Sequence, residues 1–236
     1  VDFIHHPFDV LGSTNDEAKA RARIGALAGT FITAQQQTAG RGRQGRNWLS
    51  PVGNLFASLI VRPSVDMSRY GELAFVTALA LGEAFGSFVP NWQLKWPNDV
   101  LIDGAKISGL LLESEPGWVV IGMGANIVHA PDVPGRRTTS LHQLGRSDAT
   151  VPLFIQHLQP SLNKWLTIWE NEGFAPIRAA WLEHAYGIGQ PVRVQLADQS
   201  VCVGTFNGID KDGALLLSEP GQPHQRVLAG DVFFHD

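Results

Sequence analysis

Gln37-Thr38-Ala39-Gly40-Arg41-Gly42-Arg43-Gln44-Gly45-Arg46-Asn47-Trp48 carries the literal pattern G-x-G-x-x-G at residues 40–45. In a dinucleotide-binding fold that pattern opens a helix at once, so that the glycines bring a pyrophosphate onto the helix N-terminus. Here it runs into Leu49-Ser50-Pro51-Val52-Gly53-Asn54, and Pro51 with Gly53 argue against that helix. A kinase glycine loop does lie between strands, but neither H-R-D nor D-F-G occurs downstream. The segment reads instead as a loop between two strands, which argues against the doubly wound nucleotide folds. Arg41, Arg43 and Arg46 would repel one another on a bare surface. Guanidinium forks match phosphate and carboxylate oxygens, and glycines let backbone N–H groups approach an anion. A flexible arginine–glycine loop for single-stranded nucleic acid is the plainer reading. The position between strands, on an acidic protein, favours closure over one small anionic ligand.

Outward from the loop, Thr30 to Ala34 and Leu55 to Val61 predict the bracketing strands from their β-branched and aromatic content. Upstream, Thr14 and Glu17 fit a capping box opening a helix that carries Ala18 to Ile24, with Gly29 ending the region. Downstream, Met67 to Phe88 places Leu73, Val76, Ala80, Ala84 and Phe88 on one helical face. Val100 to Ile102 and Ala105 to Glu113 predict a hairpin, because Asp103-Gly104 suits a type I′ turn. Trp118 to Val128 reads as another strand, Val151 to Trp169 as a helix, and 176–184 as a shorter one. After Gly189 the texture changes to short strands at 191–196, 201–209, 214–217 and 226–234. The expected division is 1–187 and 188–236, the second part an all-β barrel too small to carry a strong core alone and so leaning on the first.

Hydrophobic residues make up 44% of the 236, enough for a buried core and too many for a disordered chain. The net charge is 18 − 22 = −4, so any anion site must be a local cluster rather than a general field. Cys202 is the only cysteine, which excludes an internal disulfide and a cysteine-pair zinc site; within Val201-Cys202-Val203 it reads as a packed core residue. The longest apolar stretch, Leu73 to Leu81, falls far short of the ~20 residues that span a bilayer. Val1 to His6 lacks the basic start and apolar run of a signal peptide, so a cytoplasmic location is expected.

Two further segments carry polar groups of chemical interest. Lys95-Trp96-Pro97-Asn98-Asp99 is a tight turn by composition. Lys106 follows in the hairpin, and strand alternation would place it on one face with Ser108, Leu110 and Leu112. Such a lysine either snorkels at a strand edge or aims its ammonium into a cleft. In Gly122-Met123-Gly124-Ala125-Asn126, period two puts Gly122, Gly124 and Asn126 on one face, a flat floor where a ligand can touch backbone; a bulge would use the same glycines. No P-loop, H-E-x-x-H or G-x-S-x-G occurs, and the eight histidines are scattered.

Taken in order, Ser13-Thr14-Asn15, the 37–48 loop, Lys95 to Asp99, Lys106-Ile107-Ser108-Gly109 and Gly122 to Asn126 resemble the biotin protein ligases. Gly208-Ile209-Asp210, Asp212 to Leu215 and Gly230-Asp231-Val232 resemble that family's C-terminal SH3-like module. The resemblance implies an α+β fold, a class II aminoacyl-tRNA synthetase-like mixed sheet flanked by helices, followed by a small SH3-like β-barrel. It implies a ligase that turns ATP and biotin into biotinyl-5′-AMP and then acylates a lysine of a biotin carboxyl carrier domain, from acetyl-CoA carboxylase or a related biotin enzyme. It assigns biotin to Ser13, Thr14, Asn15, Gln37, Gly40, Arg41, Gly42, Arg43, Lys106 and Gly109. ATP falls to Arg43, Arg46, Trp48, Asn98, Lys106 and Asn126, and catalysis to Lys106, Arg43 and Arg41. Mg²⁺ is implied as a companion of ATP with no protein ligand named. The Ser-Thr-Asn motif begins at residue 13, so the monofunctional type without an N-terminal DNA-binding domain is expected, with no DNA or membrane partner; a homodimer is left open. A lipoate or octanoate ligase, a related fold lacking the Gly/Arg loop, is the nearest alternative. A nucleic-acid-binding module and an NAD-linked oxidoreductase are the others.

Overall fold

The computed structural model describes residues 2–219 and 224–234, so residues 1, 220–223 and 235–236 of the two expected spans lie outside it. Seven strands form the main sheet: β1 (Ile4–Leu11), β2 (Thr30–Gln37), β3 (Leu55–Val61), β4 (Trp92–Lys95), β5 (Asp99–Ile102), β6 (Ala105–Glu115) and β7 (Trp118–Ala125). Their order is β1-β2-β3-β7-β6-β5-β4. Only β1 and β2 run parallel, joined through helix α1 (Thr14–Arg23); every other neighbouring pair is antiparallel. The mixed sheet is the expected one.

Alternation along the central strands sends side chains to two different fates. Phe31, Leu59, Ile121 and Met123 join the large core under helix α2 (Glu72–Gly86), while Ile32, Ile60 and Val120 pack with Ala18 and Ala22 of α1 on the opposite face. Helix α2 is buried on nearly every side, because α3 (Val151–Glu172) and α4 (Phe174–Glu183) cover its outer surface. Thr150 caps α3, its side chain accepting from the Leu153 N–H at 3.3 Å, with Pro152 in the first turn where a missing N–H costs nothing. No helix among the described residues is long and apolar enough to cross a membrane.

The C-terminal strands β8 (Pro191–Gln195), β9 (Val201–Ile209), β10 (Leu215–Ser218), β11 (Gln225–Val227) and β12 (Asp231–Phe234) pair antiparallel in the order β11-β10-β9-β8-β12. Their inner residues Val192, Val194, Phe206, Ile209 and Leu215 belong to the same buried cluster as the main sheet. Trp96 Nε1 donates to the Gly213 carbonyl at 3.0 Å, and Arg178 Nε to the Ile209 carbonyl at 2.8 Å. The small sheet does lean on the larger part.

Several boundaries differ from those expected. The helix over 67–88 breaks into a 3-10 turn, Met67–Arg69, and α2, with Tyr70 and Gly71 between them. The last C-terminal stretch is two strands, interrupted at Leu228-Ala229-Gly230. The capping box does not form: Ser13 is the N-cap, without a side-chain cap bond, and the Thr14 hydroxyl is engaged elsewhere. Strand β1 carries no clean alternation and β4 is only four residues long, so neither stood out in the sequence. The hairpin turn is as expected, with Asp103 and Gly104 both at positive φ.

Trp96→Phe removes the donor to a buried carbonyl at the junction of the two sheets. We expect a loss of about 1–3 kcal/mol in urea unfolding, with both sheets melting in one transition. Two separate transitions in the wild type would contradict the shared core.

Candidate active site

A cavity of about 950 Å³ opens on the α1 side of the sheet, beyond the helix N-terminus. Ser13, Thr14, Asn15 and Gln37 line one end; Arg41, Gly42, Arg43, Arg46 and Trp48 of the loop form a wall; Asn98, Lys106, Gly109 and Asn126 lie along the rest. Of the residues proposed from sequence, only Gly40 does not border it. Gly40 supports the loop from behind: a Cβ there would sit 2.6 Å from the Trp48 carbonyl oxygen, and its own carbonyl accepts from Trp48 N–H at 2.9 Å.

The uncharged end is a hydrogen-bonded net. Thr14 donates its N–H to Gln37 Oε1 at 2.8 Å, and its hydroxyl lies 3.1 Å from the same oxygen. Ser58, buried on β3, reaches Thr14 Oγ1 at 2.8 Å and Asn15 Oδ1 at 2.6 Å. Gly122 leaves space for Asn15, since a Cβ there would stand 2.4 Å from Asn15 Oδ1. Gly124 does the same for Trp48, whose ring lies 2.4 Å from the position of an added Cβ. The floor is flat because two successive positions of that face of β7 have no side chain. The Trp48 indole N–H is buried and has no acceptor among the described residues.

The loop is held in shape by its own backbone. Gly42 N–H donates to the Arg46 carbonyl at 2.7 Å across a 3-10 turn, Arg43–Gly45, in which Gln44 and Gly45 both take positive φ. Gly45 adopts that conformation without the steric cost a side chain brings. The three arginines diverge from this turn. Arg41 makes a two-pronged contact with Asp16, both N–O distances 2.6 Å, and lies 3.7 Å from Glu113. Arg43 reaches Asn98 Oδ1 at 3.4 Å and the Gly230 carbonyl at 3.3 Å, and stands 3.8 Å from Asp231. Arg46 is directly paired with Asp231. Lys106 Nζ meets Asp99 at 2.5 Å and lies 5.4 Å from the Trp48 ring centroid.

The charges respond to these surroundings. Hydrogen bonding by Arg41 holds Asp16 down to about 2, and the same contact pushes Arg41 up. Burial lowers Arg43 and Lys95, Asp231 and Asp99 opposing it for both. Burial in a poorly solvated wall disfavours the charged form of a cation, which leaves it eager for an anion. Among the described residues no group of three or more His, Cys, Asp or Glu side chains could hold a metal ion.

One expectation needs correction. Lys106 does not share a face with Leu110 and Leu112. The β5–β6 register shifts between Val100 and Leu101, and the extra residue switches the alternation. Lys106 therefore stands beside Gly109, where an added Cβ would be 3.0 Å from Nζ, while Leu110 and Leu112 turn to the α2 core. Asn126 borders the cavity, and its Nδ2 donates to the Thr139 carbonyl at 3.0 Å, which fixes the direction of its amide. Cys202 is half-buried, packed against the edge of the core beside Gln225. Asp99 and Asp231, with Lys95 and the 131–138 segment, line the cavity without having been proposed from sequence, and Asp16 and Glu113 stand behind it against Lys19 and Arg41. Asp99 and Asp231 stood inside quoted motifs; Asp16 in a first helical turn looks like ordinary dipole compensation.

Residues 8–126 match the Biotin/lipoate A/B protein ligase family, and residues 187–235 match the Biotin protein ligase C terminal domain. A Biotin--[acetyl-CoA-carboxylase] ligase of Paracoccus denitrificans is 39% identical, with 94% of this chain and 97% of that protein covered. A Bifunctional ligase/repressor BirA of Bacillus subtilis is 35% identical over 97% of this chain and 73% of its own length. Among solved structures, a biotin protein ligase from Aquifex aeolicus in complex with biotin and ATP superposes with a TM-score of 0.84 at 24% identity, covering 98% of each chain, a likeness of fold.

Asp16→Asn should remove the clasp on Arg41. Because the folded-state value of Asp16 lies below the ordinary 3.8, the stability it adds is present above that pH and is lost as pH falls through about 2. Urea unfolding of wild type and variant across this range should show a gap that closes on acidification. A pH-independent gap would contradict the clasp.

Proposed function

The chain belongs to the biotin protein ligase family, within the wider biotin/lipoate A/B protein ligases, and from that premise we propose how its own residues carry the reaction. It is an ATP-dependent ligase. A carboxylate oxygen of biotin attacks the α-phosphorus of ATP, the bond to pyrophosphate breaks, and biotinyl-5′-AMP forms. A lysine amine of a biotin carboxyl carrier protein then attacks the acyl carbon, AMP leaves, and an amide results.

The first step brings two anions together, and the observation that carries the assignment is that Arg41, Arg43, Arg46 and Lys106 border one cavity. Fixed cations offset the repulsion and the charge that builds up on the phosphoryl oxygens, most effectively where water is excluded. Lys106 bridges the biotin carboxylate and the α-phosphate; Arg43 and Arg46 take the remaining phosphate oxygens, released from Asp231 as these arrive. Arg41 covers the biotin end. Trp48 and Asn98 flank the nucleotide, with Asn126 at the end of the glycine floor. Mg²⁺ would accompany ATP and would help neutralise the charge on its phosphates. No residue forms a covalent intermediate; positioning and exclusion of water do the work. Residues 1–187 act as the catalytic part, and 188–236 supply Asp231 to it.

The uncharged net of Thr14, Asn15, Gln37 and Ser58 favours biotin over lipoate. A ureido group offers N–H donors and a carbonyl acceptor to that end of the cavity. A dithiolane offers neither and would leave buried polar atoms unserved, a large penalty for the wrong substrate. Nucleic acid and lipid surfaces have no part in this reaction, which runs with ATP in the cytoplasm, and every assigned residue comes from one copy of the chain.

Biotin, and neither lipoate nor octanoate, should support ATP–pyrophosphate exchange; exchange driven by lipoate would refute the substrate assignment. Lys106→Ala should lower the biotin-dependent rate by about a hundredfold or more with circular dichroism unchanged. Near-normal exchange would remove Lys106 from its role. Residues 40–48 should be cut by protease in the free protein and protected by biotin plus ATP, a closing lid; equal cleavage in both states would mean the loop does not close.

A further inference from the structure

We propose that Glu113, which does not border the cavity, is a positioning residue that sets the direction of a hydrogen-bond chain through Asn15 and Ser58 to Thr14, so that Thr14 meets biotin as an acceptor. The proposal rests on the biotin assignment above and adds a residue to it.

The chain follows from counting protons. Glu113 Oε2 lies 2.8 Å from Asn15 Nδ2, and the Leu111 carbonyl is 3.4 Å from the same nitrogen. An ionised carboxylate and a carbonyl can only accept, so the amide of Asn15 must turn its NH₂ toward them and its oxygen toward Ser58. Ser58 has one proton. It goes to Asn15 Oδ1, 2.6 Å away, which cannot donate. The 2.8 Å contact between Ser58 and Thr14 is then made by the Thr14 proton. Gln37 Oε1 is already served by the Thr14 backbone N–H at 2.8 Å. What Thr14 has left at the cavity edge is a lone pair, the partner an N–H of the ureido group requires. Asn15 and Ser58 are both buried, so no water restores a reversed arrangement.

Lys19 makes the direction depend on Glu113 being a carboxylate. Its Nζ lies 2.6 Å from Glu113 Oε1 and demands an acceptor there. In Glu113→Gln, the amide oxygen stays with Lys19 and the NH₂ faces Asn15. Asn15 turns over to offer its oxygen, and Ser58 then receives a proton instead of giving one and passes its own to Thr14. This takes up a Thr14 lone pair and turns the Thr14 proton off Ser58 toward Gln37 Oε1, 3.1 Å away, and the cavity edge, so that Thr14 serves the ureido N–H less well. The exchanged pair, Glu113→Gln with Asn15→Asp, restores the order. The amide introduced on β6 keeps its oxygen on Lys19 and donates to the carboxylate introduced on α1, whose other oxygen accepts from Ser58, and the net charge is that of the wild type.

The test is steady-state ATP–pyrophosphate exchange with biotin and ATP varied in turn, alongside thermal melts. E113Q should raise the KM for biotin roughly tenfold while the KM for ATP stays within about twofold. The double variant E113Q/N15D should return the biotin KM to within a few-fold of wild type. Ser58→Ala cuts the chain at its middle without touching Glu113 and should show the same biotin-only defect, which keeps the test decisive even where E113Q unfolds. An unchanged biotin KM in E113Q or S58A, equal rises in both KM values, or a double variant no better than E113Q would overturn the proposal. A wild-type protein without any biotin-dependent exchange would overturn the reaction itself, a distinct outcome.

Discussion

Packing several cations around one cavity is the constraint on which this molecule is built. Arg41, Arg43, Arg46, Lys95 and Lys106 all border the same space, and unpaired they would repel one another and oppose folding. Four elements around the cavity supply a carboxylate against these cations: Asp16 from α1, Asp99 from β5, Glu113 from β6 and Asp231 from β12. The C-terminal sheet is part of this balance, since its Asp231 faces two arginines of the loop. Its packing onto the main core through Trp96 and Gly213 keeps that carboxylate in place.

The same arrangement explains how the cations act on reactants. A carboxylate on Lys106 or Arg46 holds the group where an incoming carboxylate or phosphate will need it. Exchange of one anion for another then requires little reorganisation, which is the condition under which electrostatic stabilisation is largest. The two ends of the cavity divide the labour. At one end uncharged donors and acceptors discriminate the ring of the substrate; at the other, charge discriminates the reacting groups.

Much of this was legible in the sequence because it rests on local chemistry. Pro51 and Gly53 exclude a helix after the Gly/Arg loop, Asp103-Gly104 turns the hairpin, and the alternation of Gly122 and Gly124 predicts the floor. Motif resemblance gathered Thr14, Gln37, Arg43 and Lys106 in advance. Pairings between distant segments were not legible. Arg46 and Asp231 lie 185 residues apart, and Asn15 and Glu113 lie 98 apart, so no spacing announces either. The register shift at Val100 and Leu101 was invisible for a related reason. A bulge reverses the face of every later residue, yet it is decided by pairing with the neighbouring strand rather than by composition. The capping box failed because Thr14 faces Gln37 across space, a competitor that a helix signal cannot register.

The central claim is that the anions of the reaction replace the protein's own carboxylates on a common set of cations. A crystal structure with a non-hydrolysable biotinyl-5′-AMP analogue tests it most directly. The account predicts Lys106 and Arg43 within ion-pair distance of the phosphate mimic, with Lys106 drawn off Asp99 and Arg46 off Asp231. An analogue bound in the cavity with both of those ion pairs intact, and no guanidinium or ammonium against its phosphate mimic, would contradict it.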